Sequence, residues 1–198
     1  MDAREWVAVG TVAAAFVAFV AGLVQYRKTQ GWKRAEFVAK EIKDFKTDPA
    51  IRNALLMLDW NERYIELFPH EEEPSKRNAL VTDALLAHAL APLPDKSAAR
   101  LHEEYKKEEI AIRAAFDLLF DALERFEYFI QAGLVKRKEF DPYLSYWIEI
   151  LGNRRSNRKP PQVLDNLWAY LDSYSYSGVQ KLLRRYGYNI RPARRVVS

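Results

Sequence analysis

The most prominent feature of the hydrophobic pattern is an uncharged stretch near the N-terminus. Residues 6–26 contain no charged side chain, and only Thr11 and Gln25 among them are markedly polar. A helix rises about 1.5 Å per residue, so this stretch is about as long as the hydrocarbon core of a bilayer is thick. The pattern therefore predicts a transmembrane helix. A cleavable signal peptide is not expected, because the chain begins with MDARE rather than with a positively charged segment.

The residues that flank this stretch predict its orientation. Trp6 and Tyr26 lie at its two ends, and amphipathic aromatic side chains favour the membrane interface. Four basic residues follow the stretch within eight positions, whereas Arg4 alone precedes it. Because basic flanks remain in the cytoplasm, we expect a single-pass inner-membrane (plasma-membrane) protein. Its N-terminus would lie outside, and residues 27–198 would be cytoplasmic.

Small residues recur at every fourth position of the predicted span. This small-residue stripe consists of Gly10, Ala14, Ala18 and Gly22. Such a stripe lets a second helix approach closely, which indicates a homo-oligomer within the bilayer. An alanine-rich span also produces this spacing by chance, and that alternative stays open.

Helical patterns continue through the rest of the chain. No proline or turn cluster interrupts residues 25–46, so the membrane segment, 1–26, is expected to continue as a basic juxtamembrane helix, 27–47. Residues 48–198 then form a small cytoplasmic helical domain with a basic C-terminal tail. The helices predicted there cover 50–68, 75–90, 97–132, 142–151, 163–171 and 178–186. No run alternates with period two over a strand's length, so the prediction is an all-α fold.

The helix predicted over 97–132 has the clearest apolar repeat and is expected to be the central core helix. The repeat, in steps of four and three, is Ile112, Phe116, Leu119, Leu123, Phe126 and Ile130. Two further signals mark helix boundaries. Asp48 followed by Pro49 is typical of a capped helix start, and Gly133 is typical of a helix end.

Charge is distributed unevenly along the chain. The net charge is +4, but residues 47–150 carry −7 and residues 151–198 carry +8. The candidate basic patch comprises Arg154, Arg155, Arg158, Lys159, Arg184, Arg185, Arg191, Arg194 and Arg195. Arginines interleaved with tyrosines suit single-stranded RNA, and the same charges suit anionic lipid head groups. Pairing with the acidic middle of the same or a neighbouring subunit is a third interpretation.

Candidate catalytic chemistry is sparse. With no cysteine, the chain has no disulfide, cysteine-zinc site or thiol nucleophile. Its three histidines lie outside any zinc-protease motif, and no dinucleotide- or phosphate-binding glycine loop occurs. His70 precedes three consecutive glutamates, a pattern typical of a solvated acidic turn. We therefore expect no metal and no cofactor, and a non-enzymatic protein is favoured.

Several motifs resemble a known group of proteins. Glu124-Arg125-Phe126-Glu127-Tyr128-Phe129-Ile130 precedes Ala132-Gly133-Leu134, and Pro142-Tyr143-Leu144-Ser145-Tyr146-Trp147 follows. This order looks like that of bacterial single-pass membrane proteins with a small HEPN-like helical cytoplasmic domain. It is also similar to the membrane accessory proteins of type VI-B CRISPR systems. That resemblance implies a homo-oligomeric pore in antiphage defence that permeabilises or depolarises the membrane, with RNA or a CRISPR effector protein as further partners.

Two alternatives accompany this hypothesis. Arg63 followed by His70 resembles the Arg-x(4–6)-His signature of HEPN ribonucleases. The histidine would then be a general acid and base, and the arginine would stabilise the charged transition state. The other alternative is a membrane-anchored adaptor whose basic C-terminal region binds RNA or another protein.

Overall fold

The structure, a computed structural model, describes residues 3–92 and 105–190, and for residues 3–10, 12 and 13 it describes the backbone only. Those residues are mostly helical, in agreement with the predicted class. The chain divides into two compact units, Met1–Glu41 and Ile42–Ser198.

Helix α1 runs without interruption over Ala3–Thr47, as the absence of turn signals predicted. Large apolar side chains described within the uncharged stretch 6–26 are exposed, among them Phe16 at 66%, Val17 at 65% and Phe19 at 66%. Within the described residues, no helix is both long enough and apolar enough to cross a membrane.

The second unit contains the end of α1 and, in its described part, six further helices and a two-stranded sheet. Their order is α2 Pro49–Asp59, β1 Glu62–Glu66, β2 Asn78–Thr82, α3 Asp83–Ala89, α4 Lys107–Gln131, α5 Arg137–Gly152, α6 Pro161–Ser173 and α7 Ser177–Arg185. The last two helices confirm those predicted over 163–171 and 178–186.

Both predicted helix signals are confirmed. The Asp48 carboxylate accepts hydrogen bonds from the backbone N–H groups of Ala50 and Ile51, at 2.9 and 3.1 Å, and so caps α2. Gly133 adopts a left-handed conformation (φ 71°) directly after α4. There the N–H groups of Gly133 and Leu134 donate to carbonyl groups in the last turn of the helix.

The prediction that the chain contains no strand was wrong. Residues 62–66 and 78–82 pair as antiparallel strands, with Arg63 opposite Val81 and Tyr64 opposite Leu80. Ile65 lies seven positions after Leu58, a spacing that is typical of a helical repeat. In the structure, Ile65 is a buried residue of strand β1. It is also the only buried residue of β1, which explains why no period-two alternation marked the strand. The helices predicted over 50–68 and 75–90 are accordingly shorter, as α2 and α3.

Helix α4 is the centre of the second unit, as its apolar repeat predicted. It packs against α2, α3 and α7. Ile112, Phe116, Leu119, Leu123 and Phe126 are fully buried. The first part of the helix predicted over 97–132, residues 97–104, lies outside the described residues.

The start of α5 differs from the prediction. Pro142 was expected in the first turn, but the helix begins at Arg137 and Pro142 lies inside it. The Glu139 carboxylate accepts a hydrogen bond from the Lys136 N–H at 2.6 Å and stabilises this earlier start.

Candidate binding groove between helices α4 and α7

One face of α4 carries charged side chains that point into the protein rather than into solvent. This polar ridge consists of Glu109, Arg113, Asp117, Glu124 and Glu127. Three of these residues, Glu109, Arg113 and Glu127, are at most 5% exposed. Because buried charges are costly unless they are hydrogen-bonded, the partners of this ridge fix the elements around α4.

Arg113 connects α4 to the segment after α3 and to the region after α6. Its guanidinium donates to the carbonyl oxygens of Ala89 and Ala91, at 2.7 and 3.2 Å, and to the hydroxyls of Tyr105 and Tyr174. The rings of Tyr105 and Tyr170 each lie 4.7 Å from its central carbon, measured to the ring centroid. These contacts satisfy the buried charge with aromatic faces and neutral acceptors, and they hold three chain segments together.

Asp117, one turn further along, binds two tyrosines. Its carboxylate accepts hydrogen bonds from the hydroxyls of Tyr170 and Tyr176, at 2.6 and 2.9 Å. Burial and the Asp117 carboxylate both raise the pKa of these two tyrosines well above the usual value. The loop that leads from α6 into α7 is therefore fastened to α4.

Helix α7 is held on α4 at both of its ends. At its start, the Glu124 carboxylate accepts a hydrogen bond from the Gly178 N–H at 2.6 Å. A Cβ atom at Gly178 would lie 2.9 Å from that carboxylate, so a glycine permits the close approach. At its end, the Arg185 guanidinium donates to both oxygens of Glu127, at 2.9 and 2.7 Å. The apolar side chains of α7, Val179, Leu182 and Leu183, are fully buried.

A groove follows the line where these two helices meet. It consists of two adjoining pockets of about 390 and 440 Å³ that share Glu127, Gln131 and Lys181. The other lining residues are Glu124, Arg125, Tyr128, Ser177, Gly178, Arg184 and Arg185. Four basic residues and two acidic residues therefore line the groove. Both acidic residues already accept hydrogen bonds from α7, which leaves the groove electropositive.

The structure separates the members of the candidate basic patch. Arg184 and Arg185 lie on α7, whereas Lys159 is buried, with its ammonium group 2.6 Å from the Asp83 carboxylate. Burial lowers the pKa of Lys159, although Asp83 partly offsets that effect. Lys159 is thus a structural residue that joins its loop to the start of α3 and does not face a ligand.

The other predicted patch residues lie on the surface or beyond the described chain. Arg154 pairs with Asp165 at 2.9 Å, Arg155 is exposed, and Arg158 stacks on the Tyr146 ring at 5.6 Å. Arg191, Arg194 and Arg195 lie outside the described residues.

The candidate ribonuclease pair is not brought together. Arg63 lies on β1 and stacks on the Trp60 ring at 4.9 Å, whereas His70 lies in an exposed turn after that strand has ended at Glu66. In the described residues, no group of histidine, aspartate and glutamate side chains forms a metal site.

Three residues of the small-residue stripe are described in detail. Ala14, Ala18 and Gly22 are exposed on α1, and no atom lies where a Gly22 Cβ would be added. For Gly10 the structure describes the backbone only.

The polar ridge was not predicted from the sequence. Its residues occur at steps of four, four, seven and three, which is helical spacing. That spacing was the available signal, but charged residues on a helix usually indicate a solvated face. The partners of Arg113, Asp117, Glu124 and Glu127 include tyrosines of α6 and of the loop after it, and groups of α7, all of which are distant in sequence.

Comparison with protein-family models, curated proteins and solved structures finds no match to this chain.

Proposed function

We propose that this chain is a homo-oligomeric inner-membrane protein. In this proposal, residues 6–26 cross the membrane, the N-terminus lies outside, and the second unit lies in the cytoplasm. The assembled helices form a pore that permeabilises or depolarises the membrane, as an effector or accessory protein of CRISPR-associated antiphage defence. The defence role rests on the resemblance described for the sequence.

One observation carries the membrane proposal. The uncharged stretch 6–26 lies within a single helix, α1, and the apolar side chains described in this stretch have no protein core around them. Phe16 and Phe19 are both 66% exposed, and side chains of this size favour an apolar environment. A bilayer or a second copy of the helix supplies that environment.

The small-residue stripe supports self-association. Ala14, Ala18 and Gly22 leave the backbone of α1 accessible to a neighbouring helix. Thr11 and Gln25 are the only markedly polar residues of the span, so a wide aqueous channel is not supported. A narrow apolar constriction that opens by wetting is consistent with this composition.

Because the chain has no cysteine, single introduced cysteines can test its orientation. We expect Ala3→Cys to react with a membrane-impermeant maleimide added to intact spheroplasts, and Lys138→Cys to react only after lysis. Labelling of both sites before lysis, or extraction of the protein by alkaline carbonate, would contradict the membrane proposal.

A second experiment tests assembly and conductance. We expect the full-length protein in nanodiscs to have the mass of a closed oligomer and to conduct ions in planar bilayers. Ala14→Leu combined with Ala18→Leu should reduce both, whereas Val20→Leu adds bulk on another face and should not. A monomer in nanodiscs would overturn the pore.

The geometry gives no support to the ribonuclease alternative, because Arg63 lies on β1 and stacks on Trp60, whereas His70 lies in an exposed turn outside that strand. The adaptor alternative is favoured by a specific observation, the electropositive groove between α4 and α7. A membrane-anchored protein can have both an assembled span and a cytoplasmic binding surface.

A further inference from the structure

We propose that the groove between α4 and α7 binds single-stranded RNA. This inference rests on the adaptor role and names its ligand. Two exposed cations on α7, Lys181 and Arg184, would pair with phosphates, and the exposed Tyr128 ring on α4 would stack on a base.

The first supporting argument is the charge of the groove. The carboxylates of Glu124 and Glu127 are engaged by the Gly178 N–H and the Arg185 guanidinium. Lys181 and Arg184 are exposed, and the one contact described for Arg184 is to the Gln180 carbonyl oxygen of its own helix. These two cations lie one turn apart on α7, with no acidic side chain between them. A phosphate backbone is the ligand that such a row favours.

The fixed position of α7 on α4 also supports RNA binding. The carboxylates of Glu124 and Glu127 fasten α7 to α4 at both ends, and three apolar side chains of α7 are fully buried between those ends. Lys181 and Arg184 therefore already lie in a fixed row before RNA binds. Less conformational entropy is lost on binding than with a mobile tail.

The third argument concerns the ring of Tyr128, which is 64% exposed beside the cations. An exposed aromatic next to guanidinium and ammonium groups is the arrangement by which proteins bind single strands without reading their sequence. The amide of Gln131 and the hydroxyl of Ser177 also line the groove and can bond to the ribose or to base edges.

The structure favours RNA over a lipid surface. A helix that binds a bilayer surface inserts an apolar face between the lipids. In α7 that face, Val179, Leu182 and Leu183, is already buried within the protein. The sequence after α7 adds charge of the same sign, since residues 186–198 contain three basic and no acidic side chains.

Binding can be measured with the full-length protein in nanodiscs of uncharged phosphatidylcholine. The probe is a fluorescent single-stranded 20-mer RNA of mixed sequence, followed by anisotropy over a range of salt concentrations. We expect Lys181→Ala with Arg184→Ala to weaken binding at least tenfold. It should also reduce the slope of log K against log salt by roughly 1.4, because two phosphate contacts are lost.

Matched variants separate this site from general charge effects. Arg52→Ala with Lys76→Ala removes the same charge from exposed positions outside the groove and should change the affinity less than twofold. Tyr128→Ala should weaken binding about tenfold without a change in charge. Tyr128→Phe should keep the wild-type affinity, because the ring and not the hydroxyl stacks.

Several outcomes would overturn the proposal. Equal losses in the two double variants would place binding elsewhere. Competition by polyglutamate of equal charge, with no effect of Tyr128→Ala, would show a general anion surface. Binding to phosphatidylglycerol vesicles but not to RNA would identify a lipid site. None of these variants lies in α1, so the oligomer mass in the same nanodiscs tests the pore proposal separately.

Discussion

Helices α1 and α4 both carry repeated large apolar side chains, but their surroundings differ. Phe16 and Phe19 of α1 are about two-thirds exposed, whereas Phe116 and Leu119 of α4 are fully buried. The two helices also differ in the number of charged residues that they carry. Residues 6–26 of α1 contain none, whereas α4 contains five on a face that packs against the protein. An apolar repeat therefore shows that a helix face needs a partner, and the charges nearby indicate what kind of partner.

The difference has a physical basis. Within its own chain, α4 finds hydrogen-bond partners for Arg113 and Asp117, so charges are compatible with its burial. A helix in contact with lipid has no such partners, and its sequence must exclude charges over the whole span. The contrast between the two helices is thus the contrast expected between a protein core and the proposed bilayer environment.

The largest expected effect comes from truncating Phe116, one of the fully buried aromatic residues of α4. Phe116→Ala should lower the free energy of unfolding of the second unit by about 3–5 kcal/mol, because it removes a fully buried ring and leaves a cavity. Urea titration of the detergent-solubilised protein, followed by hydrogen exchange in α4 peptides, measures this change. Phe19→Ala on α1 is the control and should leave α4 exchange unchanged. If the two variants changed α4 exchange equally, the proposed difference between the surroundings of α1 and α4 would be contradicted.

The buried charge of α4 should be nearly as important as its rings. Arg113→Ala removes the guanidinium that donates to the Ala89 carbonyl oxygen and to the Tyr174 hydroxyl. The expected loss is about 2–4 kcal/mol, measured by the same exchange experiment. Arg52→Ala, on the exposed side of α2, should change the unfolding free energy by less than about 0.5 kcal/mol. A neutral result for Arg113→Ala would show that the polar ridge does not stabilise the fold.

The fold could be predicted from the sequence where a local signal decided it. Asp48, Gly133 and the apolar repeat of α4 were sufficient, because caps and helical periodicity are properties of neighbouring residues. The strands were missed because β1 buries only Ile65. A short edge strand with one buried side chain produces no alternation that could be recognised.

The candidate groove was only partly predictable. The predicted basic patch included Arg184, which lines the groove, but it also included Lys159, which is buried against Asp83. The sequence gives no indication of that pairing, because the two residues are 76 positions apart. The role of Glu124 was equally hidden, since it depends on the distant Gly178 N–H. Long-range partners, and not residue type, decided which charges remained exposed.

The tyrosines bound to Asp117 predict a dependence of stability on alkaline pH. Their pKa values are raised in the folded protein, so above about pH 10 the unfolded chain loses protons that the folded chain keeps. The folded state then binds more protons, and stability must fall as the pH rises. Tyr176→Phe should reduce that fall by about 1.4 kcal/mol per pH unit, measured by urea unfolding between pH 10 and about 11.5.

The matched control for this experiment is Tyr128→Phe, at an exposed position of the same helix pair. It should leave the slope unchanged, because its hydroxyl is not held by Asp117. If both variants changed the slope equally, the alkaline effect would belong to exposed tyrosines and not to the buried ridge.

The smallest expected effect concerns the boundary that ends α1 and starts α2. The Asp48 carboxylate accepts from the N–H groups of Ala50 and Ile51, which have no acceptor inside the helix. Asp48→Ala should therefore cost about 1 kcal/mol, detected as faster hydrogen exchange in α2 peptides. Asp48→Asn keeps an oxygen acceptor and should retain most of the stability. If the asparagine variant were as unstable as the alanine variant, the carboxylate charge and not the cap would stabilise this boundary. The start of α2 would then be stabilised by charge, whereas the end of α4 is set by the backbone conformation of Gly133.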